Sequence, residues 1–267
     1  MKNDLVNQNE SKDQSGSRRS GIAEKKAGLR PRSSYLQLQH LVGMALFAAL
    51  AYILMLFIRF PVSFLTLDVK DAVITLAAFL YGPLAGPVIS LLVSALEAVT
   101  VSSTGFYGFL MNFAGSAVFS LLAGLVFHSK KTEYNGLGEK IRRPRKSYRS
   151  AIVGLYLATF AMTAVMLLMN LWITPLYSGV PFEGVVGMLL PLLLPFNLAK
   201  GLLNSVVVLL LYQPVLLGAI RAKAVRADFE VQKPAPRDLV LFLLSILLTA
   251  AIAVVGILIA KGIIVFS

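Results

Sequence analysis

Residues 185–217 form one long apolar stretch with a single charged side chain, Lys200. A membrane span needs about 20 apolar residues at 1.5 Å rise each, and backbone surrounded by lipid must satisfy its own hydrogen bonds, which a single segment does only as a helix. Further apolar stretches place spans near 40–59, 71–82, 84–103, 108–128, 150–173 and 238–260, seven in all with 186–217. They are continuous rather than alternating, which excludes a β-barrel. Tyr81-Gly82-Pro83-Leu84-Ala85-Gly86-Pro87 interrupts two of them and reads as a tight turn. With 57% hydrophobic and 14% charged residues and a mean hydropathy of +0.76, the chain is an all-α polytopic membrane protein and not a soluble domain.

The basic residues set the orientation. The tail before His40, the loop 129–149 and the segment 221–237 hold 21 of the 25 Lys and Arg, while the loops 60–70, 104–107 and 174–185 are nearly uncharged. The positive-inside rule then predicts a multi-pass protein of the cell membrane with a cytoplasmic N-terminus and, after seven spans, an external C-terminus. The formal charge of +12 follows from this topology and from attraction to anionic membrane lipid, with no nucleic acid required. The expected organisation is a disordered basic tail over 1–38, a six-helix core over 39–218, a basic linker over 219–237 and an additional transmembrane helix over 238–267. The charged stretch of the tail is too long for a signal peptide.

Chemistry is sparse. There is no cysteine, so thiolate metal sites and cysteine catalysis are out. His40 and His128 fall at helix ends without a carboxylate cluster at metal-ligand spacing, and the expectation is packing, with no metal site and no cofactor. Phosphate-binding glycine loops and hydrolase or metalloprotease signatures are missing, so no catalytic residue is assigned and uphill movement of a solute would draw its energy from a partner or an ion gradient.

The polar residues set within spans are Glu97, Asn112, Asn170, Asn197, Lys200 and Asn204. An ionisable group at membrane depth costs ~3 kcal/mol or more and marks function by default. Asn197 lies one helical turn before Lys200 on the same face, and an amide beside an ammonium suits a polar small molecule; a snorkelling lysine or a helix–helix clamp is the structural alternative. Pro191 and Pro195 should kink or open the helix beside Asn197. Asn170, near the outer end of span five, is expected to converge with Asn197 and Lys200. Glu97 has three open readings, as counter-ion of Lys200, as ligand contact or as a snorkelling carboxylate. Phe64, Phe106, Tyr107, Trp172 and Tyr177 gather on the outer side, as an interfacial belt or a cover for a flat ligand. Ala45 and Ala49, with Ala48 and Ala51 beside them, form a small-residue face that lets another helix approach closely.

The ordered blocks Phe64-Leu-Thr-Leu-Asp-Val-Lys-Asp-Ala, Leu80-Tyr-Gly-Pro-Leu-Ala-Gly86, Met111-Asn-Phe-Ala-Gly115, Met162-Thr-Ala-Val-Met, Asn170 through Pro175-Leu-Tyr177, and Leu194-Pro-Phe-Asn-Leu-Ala-Lys-Gly201 resemble the riboflavin-binding S-components of energy-coupling factor (ECF) vitamin transporters. The resemblance implies a six-helix subunit that captures riboflavin outside, then docks on a transmembrane coupling subunit served by two ATPases, where ATP is hydrolysed. It implies that Asn170, Asn197 and Lys200 bond the flavin, that Leu65 and Thr66 cover it from the first outer loop, and that Ala45 and Ala49 serve docking. Glu97 and Asn112 are added as candidate ligand contacts. Flavin-associated members of the family often carry a Lys-Asn pair in the third span, where this chain has Val93 and Ser94. An S-component for another micronutrient or for flavin mononucleotide is the near alternative. A membrane-embedded lipid or prenyl enzyme, which would need an Asp-rich or His-containing cluster, and a secondary transporter, which would need inverted repeats, are the distant ones.

Overall fold

The structure is a computed structural model that describes residues 32–62, 65–134, 140–144 and 148–222, and beyond them residues 236, 240, 242–244, 246, 247 and 251. The chain divides into two compact units, residues 1–42 and 43–267. In the first, the described residues are the opening turns of helix α1, Arg32–Phe57. The predicted tail otherwise lies outside the described residues.

In the second unit, α1 ends at Phe57 and a short antiparallel hairpin follows, β1 (Arg59–Val62) and β2 (Leu65–Asp68), with Arg59 opposite Asp68 and Val62 opposite Leu65. Then come α2 (Lys70–Tyr81), α3 (Ala85–Thr100) and α4 (Gly105–Phe127). A second hairpin, β3 (Lys130–Tyr134) and β4 (Lys140–Pro144), leads into α5 (Tyr148–Ser178). The last described stretch is α6 (Phe182–Met188), a π-helical turn at Leu189–Leu193 and α7 (Leu194–Arg221).

Among the described residues four segments are long and apolar enough to cross a membrane: Leu38–Phe57, Gly105–Phe127, Tyr148–Ser178 and Phe182–Arg221. The expected sixth span lies within one continuous helical segment, Phe182–Arg221, that widens into the π-helical turn at Leu189–Leu193. Pro191 offers no N–H to the helical ladder, and the widened turn sits around it, as the proline spacing predicts. Of the expected seventh span, residues 240, 242–244, 246, 247 and 251 are described, and all are helical. The two hairpins depart from the expectation of plain loops.

The 12-residue α2 is the centre of the bundle, with every side chain from Lys70 to Leu80 buried. One core joins its Leu76 and Phe79 to Phe119 and Phe127 of α4, Leu155 of α5 and Tyr212 of α7. The Phe79 and Phe127 rings stack at 4.2 Å, and Tyr212 meets both edge-on. A second core packs Ala48 and Ala51 of α1 against Val73 and Ala77 of α2 and Ile89 and Val93 of α3. Ala45 and Ala49 are exposed, beside the packed face of α1.

At the far end of α2, Gly82 adopts φ 111, a backbone state open to glycine, and turns the chain into α3 as the sequence predicts. The His128 Nε2 lies 3.1 and 3.0 Å from the Ala78 and Phe79 carbonyls, so this histidine caps the last turn of α2. At Gly154 the backbone of α5 runs close to that of α4: a Cβ built there would stand 2.9 Å from the Ala123 carbonyl oxygen and 3.4 Å from Ala123 Cα. Backbone cannot yield as a side chain does. Gly154→Val should therefore force the helices apart and lower the thermal midpoint in detergent by several degrees, roughly 1–3 kcal/mol of overpacking; an unchanged midpoint would contradict this packing.

Candidate functional site

Apart from Lys261 and the three basic segments, the sequence has only Arg59, Lys70 and Lys200 as basic residues, and the fold brings all three to one end of the bundle. β2 ends at Asp68 and α2 starts two residues later, which puts Asp68, Lys70 and Asp71 at the buried top of the central helix. Lys70 is wholly buried and its ammonium bonds the Glu97 carboxylate of α3. The Asp68 carboxylate lies 3.8 Å from Lys70 Nζ and 3.1 Å from Lys200 Nζ, and the Lys200 ammonium is 3.8 Å from Asp71. Ser116 of α4 donates its hydroxyl hydrogen to Asp71. Two lysines and three carboxylates thus form one paired network, the arrangement that makes burial of such charges tolerable.

Asn204 closes the network from α7. Its Oδ1 accepts from the Ala72 N–H at 2.8 Å, and its Nδ2 donates to the carbonyls of Asp68 and Lys200, both at 2.9 Å. A side-chain amide thereby supplies an acceptor for the first turn of α2, whose N-cap residue Val69 offers none, while Asp68 Oδ1 accepts from the Lys70 N–H at 3.2 Å.

Against this network lies a partly enclosed cavity with about 130 Å³ of space for the centres of water-sized molecules. Its polar wall is Asn112, Asn197, Lys200, Asp71, Glu97 and Ser116; Leu65, Met111, Met162, Met166, Phe196 and Tyr177 supply apolar and aromatic surface. Arg59, Leu65 and Thr66 of the first hairpin and residues 102–104 of the α3–α4 connection also line it. These are two of the segments expected to face outside.

The candidate residues divide accordingly. Asn197, Lys200, Leu65, Thr66, Glu97 and Asn112 all line this one cavity. Asn197 also donates from Nδ2 to the Leu193 carbonyl at 2.7 Å, so it borrows an acceptor from the π-helical turn. Asn170 is not among the lining residues: it is fully buried, donates to the Met166 carbonyl at 2.7 Å and accepts from Thr174 at 2.9 Å. Its amide is taken up by its own helix, one turn beyond the lining Met166.

Glu97 does not snorkel. It is 4% exposed, and the lysine it bonds is Lys70, whereas the carboxylate bonded to Lys200 is that of Asp68. Of the aromatic group, Tyr177 lines the cavity and stacks on Tyr107 at 6.0 Å, Phe106 and Trp172 are exposed in the manner of an interfacial belt, and Phe64 lies outside the described residues. The resemblance block alone contained Asp68, Lys70 and Asp71, and none of them was singled out. A usable signal was present: charged residues inside apolar segments need partners, and these are the only acids and bases close enough in sequence to span two to meet Glu97 and Lys200.

A helical membrane bundle that holds a partly enclosed cavity of mixed polarity has the architecture of a membrane-embedded solute-binding subunit. The family model described as "ECF transporter, substrate-specific component" matches residues 39–212, and the chain belongs to this family. Two similar proteins are "Riboflavin transporter RibU" of Staphylococcus aureus (strain TCH60), 31% identical over 69% of this chain and 94% of the relative, and "Riboflavin transporter FmnP" of Bacillus subtilis (strain 168), 26% identical over 66% and 92%. A solved structure described as the S component of a bacterial ECF transporter superposes with a TM-score of 0.54 at 30% identity, covering 68% of this chain and 98% of that one. The protein is accordingly a multi-pass transport subunit and not an enzyme.

Proposed function

We propose that this chain captures riboflavin for an ECF importer and holds it in the cavity between the first hairpin and α7. The observation that carries the reading is the juxtaposition, in one cavity, of the Asn197 amide and Lys200 ammonium with a methionine- and aromatic-rich wall. An isoalloxazine is flat, with a uracil-like edge of carbonyls and N–H on one side and a dimethylbenzene edge on the other. Amide and ammonium groups match the first, and thioethers pack well against aromatic faces. Leu65 and Thr66 supply the cover. The two riboflavin transporters among the relatives support the same ligand.

The replacement at Val93 and Ser94 does not speak against it. Both residues are buried, with Val93 in the α1–α2–α3 core, and neither lines the cavity.

The partners proposed with this function are a transmembrane coupling subunit, approached through the exposed Ala45 and Ala49 face of α1, and two ATPases that hydrolyse ATP. The cavity opens outward and the basic segments lie in the cytoplasm.

Purified without added ligand, the protein should carry a flavin absorption band or acquire one on incubation with riboflavin. Asn197→Ala should weaken riboflavin binding roughly tenfold or more, since loss of one buried donor–acceptor amide at a polar edge costs about 1.5–3 kcal/mol. An Asn197→Ala titration that superimposes on the wild-type curve would count against the cavity as the flavin site.

A further inference from the structure

We propose that Asp68 is a positioning residue for binding: one buried carboxylate at the end of β2 aims the Lys200 ammonium at the cavity wall and ties the Leu65–Thr66 cover to α7. The inference rests on the reading of this cavity as the riboflavin site. Asp68 itself is 2% exposed and does not line the cavity, so it acts through others.

A lysine is a point charge on a flexible four-carbon stem, and an unanchored Lys200 would sample the cavity and the network alike. The structure removes that freedom. Asp68 is the carboxylate within hydrogen-bond distance of Lys200, at 3.1 Å, against 3.8 Å for Asp71, and the lysine side chain is 12% exposed, at the boundary between network and cavity. A charge-assisted bond of this kind fixes direction as well as distance.

The main chain of the same residue makes the second tether. The Asp68 carbonyl accepts from Asn204, which sits one turn beyond Lys200 on α7 and also bonds the Lys200 carbonyl. Thr66, two residues earlier, shares the face of β2 on which Asp68 lies. A hairpin of two four-residue strands has little stability alone; its attachment to α7 through Asp68 holds the cover over the site. Neutralising Asp68 leaves Lys70 and Lys200 against Asp71 and Glu97, a balanced set, so the variant should fold.

The test uses the full chain in detergent, with Asp68→Asn, Lys200→Gln and the double variant titrated with riboflavin, and Asn204→Ala followed by hydrogen exchange without ligand. Asp68→Asn should weaken riboflavin roughly tenfold or more, while the double variant binds no more weakly than Lys200→Gln alone, since the two residues act as one unit. Amides of residues 59–62 and 65–68 should exchange at least roughly tenfold faster in Asn204→Ala, which removes the bond to the Asp68 carbonyl, with those of α5 unchanged. Additive losses in the double variant, wild-type affinity in Asp68→Asn, or unchanged hairpin exchange would overturn the proposal. If the wild-type protein binds no riboflavin, the ligand assignment fails by itself, and hairpin exchange alone decides for or against the Asp68 tether.

Discussion

Lys70→Met is expected to lower the stability of the protein by about 3–5 kcal/mol, the cost of breaking a buried ion pair by deleting one partner. Lys70 is wholly buried at the top of α2, bonded to Glu97 and 3.8 Å from Asp68. Its removal leaves Glu97 without its cation and raises the excess of carboxylates around Lys200. The methionine fills much of the same volume, so the loss is electrostatic and not a cavity effect. Adding Glu97→Met should recover a large part of it, because the pair is then absent rather than broken. Thermal or denaturant unfolding in detergent measures both variants; a single variant as stable as wild type, or a double variant less stable than the single, would refute the network as described.

Lys200→Ala is expected to weaken riboflavin binding roughly a hundredfold, about 2.7 kcal/mol. Unlike Lys70, Lys200 faces the cavity, where water replaces the ammonium beside Asp71 in the variant. The stability loss should therefore be smaller than for Lys70→Met, while the loss of affinity is larger. Fluorescence titration of both variants separates the roles: Lys70→Met, where it stays folded, should bind more tightly than Lys200→Ala. The reverse order would mean that Lys200 is the structural cation and Lys70 the ligand-facing one.

Much of the bundle was legible because lipid imposes a coarse rule: each long apolar stretch has to be a helix, and α2 to α5 fall where apolar runs begin and end. Pro191 and Pro195 gave away the widened turn ahead of Asn197 by the same local logic, through missing N–H groups. The hairpin at 59–68 was not legible. Its strands are four residues long, contain Pro61, and owe their place to bonds from Asn204 and Lys200, more than 130 residues later in sequence. For the same reason the partners of Asp68, Lys70 and Asp71 are set by the packing of α3 and α7 and not by their own segment. Asn170 shows the opposite case. An asparagine in an apolar helix suggests a ligand contact; here one amide hydrogen goes to the Met166 carbonyl and the amide oxygen accepts from Thr174, each one turn away within α5, a local arrangement that the polar residue type does not reveal.

The most direct test is equilibrium titration of the ligand-free, detergent-solubilised protein with riboflavin, followed by quenching of flavin fluorescence, with Lys200→Ala in parallel and an unrelated vitamin as competitor. The account predicts saturable binding at one riboflavin per chain, indifferent to the competitor and severely weakened by Lys200→Ala. Absence of saturable quenching, or equal binding by the wild type and Lys200→Ala, would contradict it.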